Sequence, residues 1–287
     1  MANLDVRQDA PRSRPGASRL GAMRLLVWLL FAILLLRFGF TWANSLAGAS
    51  LPQIGSIGFT AIFAAFSLLH AADLLGWRRA FLFLLVCVAV SWCLEAVGVA
   101  TGMVYGSYHY GDALGAKIGA VPAIIPFAWF MMIYASWIVA HILLEGAGDP
   151  GSTGGALARA AVAAAAMTAW DAVMDPGMAR AGIWTWENGG PYFGVPFQNF
   201  VGWMVTTLTI YIIVALVFRL LPGRQGLNVT RLYGGAPVLA YSLVALDRLL
   251  IASVPELHVV AAFGICFIAS VAILRLALVR SPISLPP

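Results

Sequence analysis

Stretches of about 20 apolar residues, long enough to cross a bilayer as helices, recur along the whole of this chain. They fall at roughly 23–44, 55–76, 79–101, 121–144, 156–176, 199–221, 234–252 and 257–278. A segment in lipid has to satisfy its own backbone hydrogen bonds, and a helix does so within itself. The expectation is therefore an all-α, polytopic membrane helical bundle of about eight transmembrane helices. Composition agrees, because 61% of the residues are hydrophobic, 10% are charged and the mean hydropathy is +0.89, too apolar for a core in water. Residues 23–280 read as one transmembrane domain, 1–22 as a disordered basic tail and 281–287 as a short C-terminal tail.

Placement of the basic residues orients the bundle. With the N-terminus inside, thirteen of the seventeen Lys and Arg residues gather on the inner side, from Arg7 through Arg78, Arg159 and Arg219 to Arg280, and the outer loops hold Lys117 and Arg180. That asymmetry predicts both termini in the cytoplasm and a multi-pass protein of the cell (inner) membrane. It also accounts for the net charge of +5 without a nucleic-acid partner. The segment "LLVWLLFAILLL" with "SLAGAS" after it has the size of a signal peptide. Arg37 interrupts its small-residue tail, and cleavage would upset the loop charges, so the segment reads as retained. Cys87, Cys93 and Cys266 lie in apolar spans without metal-ligand spacing, which predicts neither disulfide nor metal. Asn228-Val-Thr230 matches a glycosylation sequon but falls in an inner loop.

Two loops, after spans three and five, differ from the rest. In one, Glu95-Ala-Val leads after eleven residues to Gly106-x-Tyr108-x-Tyr110; in the other, Asp171-Ala-Val leads at the same interval to Gly182-x-Trp184-x-Trp186. The shared layout is either a parallel internal repeat or a chance likeness between two interfacial loops. A repeat would set Glu95 and Asp171 at similar depth. Gly98-x-x-x-Gly102 has the spacing that permits close helix packing.

Ionisable groups inside spans are costly and face the bundle interior or a cavity. By the span order, Arg37, Glu95, Asp171, Asp175, Asp247 and Arg248 all fall in the outer half, with Asn199 opening span six beside them. Arg37, Arg248 and Asp247 read equally well as structural ion pairs. Three acids remain that two arginines do not neutralise. Asp171 and Asp175, four positions apart, share one helical face. Pro176 predicts that the helix frays at Asp175. Such a cluster can divide into an acid and a base. His70, Asp73 and His141, near inner helix ends, read as structural rather than as a metal centre, and His109 as either a proton donor or an interfacial residue. The loop aromatics fit an interfacial belt, but alternating pairs framed by glycine beside acids also fit the wall of a cation site.

The strings "EAVGVATGMVYGSYHYG", "VPAIIPFAW" and "AWDAVMDPGMARAGIWTWENGGPYFGVPFQNFVGW" resemble the membrane carotenoid-biosynthesis proteins known as carotenoid 1,2-hydratases, a group that includes gamma-carotene 1'-hydroxylase and bisanhydrobacterioruberin hydratase. The resemblance covers roughly residues 60–280 and is strongest from Glu95 to Trp203. It implies addition of water to the terminal double bond of an acyclic carotenoid end, without oxygen or a cofactor. Its implied partners are a membrane-dissolved carotenoid, water, the lipid bilayer and other carotenoid-biosynthesis enzymes.

The reading of the residues supplies the roles. Asp171 or Glu95 donates the proton, and Tyr108, Tyr110, Trp184 and Trp186 stabilise the cation. Asp175 serves as base, with Asn199 and Gln198 as candidate water ligands. Tyr192 and Trp203 complete the expected substrate-binding set. The rivals are a lycopene-type cyclase, which begins with the same protonation but excludes water, a proton-coupled transporter and a non-catalytic scaffold for pigment enzymes.

Overall fold

A computed structural model of the chain describes residues 15–149, 151–223, 229–252 and 254–278. The tail expected over 1–22 lies mostly outside them, as do residues 281–287 and Asn228 of the sequon. The described chain is a helical bundle. Its long helices are α1 (Pro15–Ala47), α2 (Ser56–Leu75), α3 (Trp77–Thr101), α4 (Ile125–Leu143), α5 (Thr153–Arg180) and α6 (Phe197–Arg219), followed by shorter α7 (Arg231–Gly234), α8 (Ala236–Leu250), α9 (Pro255–Phe263) and α10 (Ile265–Leu278). Among the described residues, seven segments are long and apolar enough to cross a membrane, with α9 and α10 counted as one. The segment expected at 234–252 is helical too. As α8 its 15 residues rise roughly 22 Å, less than the hydrocarbon core.

Local chemistry sets the helix ends. Gly76, at φ 83°, separates α2 from α3, and Gly102 caps α3 at φ 69°, a left-handed conformation that glycine adopts without steric cost. Ser152 caps α5, its Oγ accepting from the Gly155 N–H at 3.0 Å, and prolines begin α4, α8 and α9, where a missing N–H costs nothing. Helix α4 is apolar all round and buried from Trp129 to Ile142. It packs against α2, α3, α5 and α8 as the centre of the bundle, whereas most leucines of α1, though not Leu34, and the outer faces of α3 and α6 are left for lipid.

Pro176 does not end its helix. Helix α5 runs through it to Arg180, and Asp175 is helical and 2% exposed. Proline supplies no N–H to the carbonyl of Ala172. Tyr192 replaces that donor, its hydroxyl bonding to Ala172 O at 2.9 Å. A tyrosine outside the helix thus mends the break that the sequence predicts.

The two unusual loops meet. Strand β1 (Tyr108–Tyr110) is followed by the small pair β2 (Lys117–Ile118) and β3 (Val121–Pro122), and β1 pairs antiparallel with β4 (Trp184–Trp186). Tyr108 faces Trp186, Tyr110 faces Trp184, and His109 opposite Thr185 forms the centre. The motifs that align in sequence are therefore neighbours, in the relation that a two-fold axis through the pair produces. Both loops lie at the same end of the bundle, as the span order requires.

Candidate active site

Glu95 is 4% exposed near the end of α3 and accepts three hydrogen bonds. The Tyr108 hydroxyl donates to Oε2, Tyr110 donates to the same oxygen at 2.7 Å, and Trp129 Nε1 donates to Oε1 at 2.9 Å. The alternation in Gly-x-Tyr-x-Tyr is what makes this possible, since residues two apart in a strand share a face. Burial, and then the neighbouring Glu95, hold both phenols well above the usual tyrosine range. They therefore keep their protons and remain donors. Trp129, which the sequence reading did not select, lies in an unbroken apolar run; its place at the end of "VPAIIPFAW" is the only signal it had.

The second carboxylate group comes from α5. Asp171 is fully buried, and Asn199 Nδ2 donates to its Oδ2 at 3.1 Å and to Asp175 Oδ2 at 2.6 Å. Asp171 Oδ1 has no hydrogen-bond partner among the described residues. No ion pair engages Glu95, Asp171 or Asp175 among those residues either. The i, i+4 spacing on an unbroken helix puts both aspartates within reach of one amide, and Asn199, in the first turn of α6, supplies it.

Glu95, Asp175 and Asn199 open on a cavity inside the bundle. Glu95, Tyr108, Tyr110, Asp175, Trp184, Trp186, Asn199 and Trp203 line it, together with Tyr105, Trp129, Trp170 and three methionines. Trp129 and Trp203 stack with ring centroids 4.1 Å apart, and Trp170 meets Trp203 edge-on at 5.8 Å. Tyr105 is held from both sides. A Cβ at Gly98 would lie 2.8 Å from its ring and one at Gly202 2.7 Å, so the space at Gly98 serves a tyrosine rather than a helix–helix contact. Its hydroxyl pairs with Thr206 at 2.8 Å.

Four of the residues singled out in the sequence lie off the cavity wall. Asp171 sits behind Asn199, and Tyr192 is occupied with α5. His109 is exposed on the outer face of β1, 2.6 Å from Glu187. Gln198 donates to the carbonyls of Gly102 and Met103 at 2.9 and 2.5 Å, tying the loop to α6 rather than holding water in the cavity.

Arg37, Asp247 and Arg248 line the far side of the same cavity. Asp247 pairs with Arg248, lies 3.9 Å from Arg37 and accepts from Trp42 Nε1 at 3.1 Å. These are the structural ion pairs that formed one of the two readings. His70 is likewise a core residue, with Nδ1 2.7 Å from the Tyr134 hydroxyl and Nε2 2.8 Å from Tyr233 O.

Residues 55–273 match the family model described as carotenoid biosynthesis protein. Over 130 residues the chain is 33% identical to the bisanhydrobacterioruberin hydratase of Haloarcula japonica, a match that covers 45% of this chain and 42% of that protein. The chain thus spans about two fifths of the length of the curated relative it matches. No solved structure matches.

Proposed function

The chain belongs to the carotenoid biosynthesis protein family, which it matches over about three quarters of its length, and from that premise we propose that it is a hydratase that adds water to the terminal 1,2 double bond of an acyclic carotenoid end. The observation that carries the proposal is the site itself. Buried carboxyl groups without ion-pair partners open on an aromatic, otherwise apolar cavity, which is what protonation of an alkene requires.

Like charges around one amide repel, so Asp171 and Asp175 together hold one proton. Asp175 faces the cavity and delivers it to C2 of the alkene, and the charge appears on the dimethyl-bearing C1. Glu95, an acceptor in all three of its contacts, contributes negative charge to that cation. The faces of Trp129, Trp186 and Trp203 add cation–π stabilisation of about 1–2 kcal/mol each where water is excluded. Water then bonds to C1, and its surplus proton returns to the Asp171–Asp175 pair. The product is a tertiary alcohol and the enzyme is unchanged. Lining favours Asp175 over Asp171 as the group that meets the substrate, with Asp171 as its buried partner.

Expression of the chain alone in a lycopene-producing host tests the reading. The expected result is a new pigment heavier than its precursor by one water, whereas a cyclase leaves the mass unchanged and a transporter or scaffold makes no new pigment. Asp175→Asn is expected to lower product formation by about 10²–10⁴-fold, the range for loss of a general acid, with insertion retained. Undiminished hydration by this variant would remove Asp175 from the mechanism.

A further inference from the structure

A second cavity opens at the opposite end of the bundle, among the C-terminal half of α4, the start of α5 and the end of α6. Arg159 on its wall and Asp175 on the first cavity are sixteen positions apart on α5, roughly 24 Å along the helix. The two sites are therefore separate.

Its wall is basic on one side and apolar on the other. Arg159 and Arg219 line it, together with His141, and among the described residues no acidic one does. Arg159 is 3% exposed, yet its guanidinium donates only to carbonyl oxygens, Gly155 O at 3.1 Å and Leu144 O at 3.2 Å, and Nε has no partner among the described residues. Asp149 attracts it through space, but no hydrogen bond joins the two among the described residues, and Asp149 Oδ1 accepts instead from the Gly151 N–H at 2.8 Å. A buried guanidinium that no acid touches directly is still costly, and a further anion at its open edge would offset that cost. His141 Nδ1 meets Trp137 O at 2.8 Å, so it carries the hydrogen, and Nε2 is an acceptor with no donor among the described residues. Trp137, Tyr211, Val214 and Phe218 form the apolar side.

We propose that this cavity binds a phosphate-bearing amphiphile of net negative charge, with the phosphate at Arg159 and Arg219 and an acyl chain along the aromatic side. An anionic phospholipid has both parts. By the loop charges this end faces the cytoplasm, where anionic headgroups are enriched.

Thermal unfolding of the full chain in neutral detergent tests the assignment by binding rather than by pigment chemistry. Phosphatidylglycerol, phosphatidylcholine and inorganic phosphate are titrated separately. Phosphatidylglycerol is expected to raise the melting temperature where phosphatidylcholine does not. Arg219→Gln is expected to weaken the effect by about tenfold, the scale of one charge-assisted hydrogen bond, and Arg159→Gln by at least as much. Arg219 is exposed and its guanidinium donates to Thr153 Oγ1, so its variant tests the site even if Arg159→Gln fails to fold. Stabilisation by inorganic phosphate with the same dependence on Arg219 would support the phosphate site and make its source soluble. Equal stabilisation by phosphatidylcholine, no stabilisation by either phosphate, or an effect that survives Arg219→Gln overturns the proposal.

Discussion

Glu95 is the clearest case of a residue whose chemistry depends on neighbours far away in sequence. Its three donors come from a strand 13 and 15 positions on and from a helix 34 positions on. Both oxygens of Glu95 are engaged by these donors, whereas Asp171 Oδ1 has no partner among the described residues, and the Asp171–Asp175 pair is therefore the proposed proton source. Tyr110→Phe removes one donor to a charged group, worth about 1.5–3 kcal/mol. If Glu95 stabilises the cation, hydrated pigment should fall by roughly tenfold or more, with protein abundance in the membrane unchanged. Full activity in that variant would assign Tyr110 to packing. The acids themselves were legible as residues, because charges in apolar spans are rare. Their partners were not, since Trp129 is one tryptophan in an apolar helix and nothing in the spacing says where it points.

Among the elements, α5 shows how a local rule is overruled. The residue before a proline disfavours helical angles, and Asp175 stands there, yet the helix continues because Tyr192 occupies the carbonyl that Pro176 leaves open. Tyr192→Phe should cost about 1 kcal/mol, the scale of one hydrogen bond to a partly buried carbonyl. Pro176→Ala restores the backbone N–H, so in that background Tyr192→Phe should cost little. A double-mutant cycle read by thermal unfolding in detergent measures the coupling; equal costs in both backgrounds would separate Tyr192 from Pro176. The strand pair is another tertiary product. A three-residue strand is too short to be stable alone, and β1 exists because β4 lies beside it. The alternating aromatics showed that the two loops were alike without showing that they pair.

At the scale of the whole molecule, the arrangement predicts two chemically distinct ends. Single cysteines at His109 and Glu187 in a background without the native thiols should react with a membrane-impermeant maleimide from the same side, and one at Ser152 only from the other. With the arginine-rich loops inside, the first pair should label in intact cells; labelling of the Ser152 position there instead would invert the orientation. Some spans were readable to within about two residues, 55–76 for Ser56–Leu75 and 199–221 for Phe197–Arg219, because exclusion of water from lipid makes length and hydropathy nearly sufficient, whereas 23–44 and 156–176 stop short of α1 and α5. The shortness of α8 was less so, since an apolar run does not say where a helix will stop against its neighbours. By itself, then, the amino-acid sequence determined the class, the number of crossings to within one short helix and which ionisable groups are out of place in lipid. These are consequences of local composition against a uniform solvent. Only the tertiary structure decided that Asn199 joins Asp171 to Asp175, that Asp175 rather than Asp171 faces the cavity, and that Arg37 and Arg248 share Asp247 across it. Such contacts depend on helix rotation and on packing between segments remote in sequence, and a hydropathy pattern carries neither.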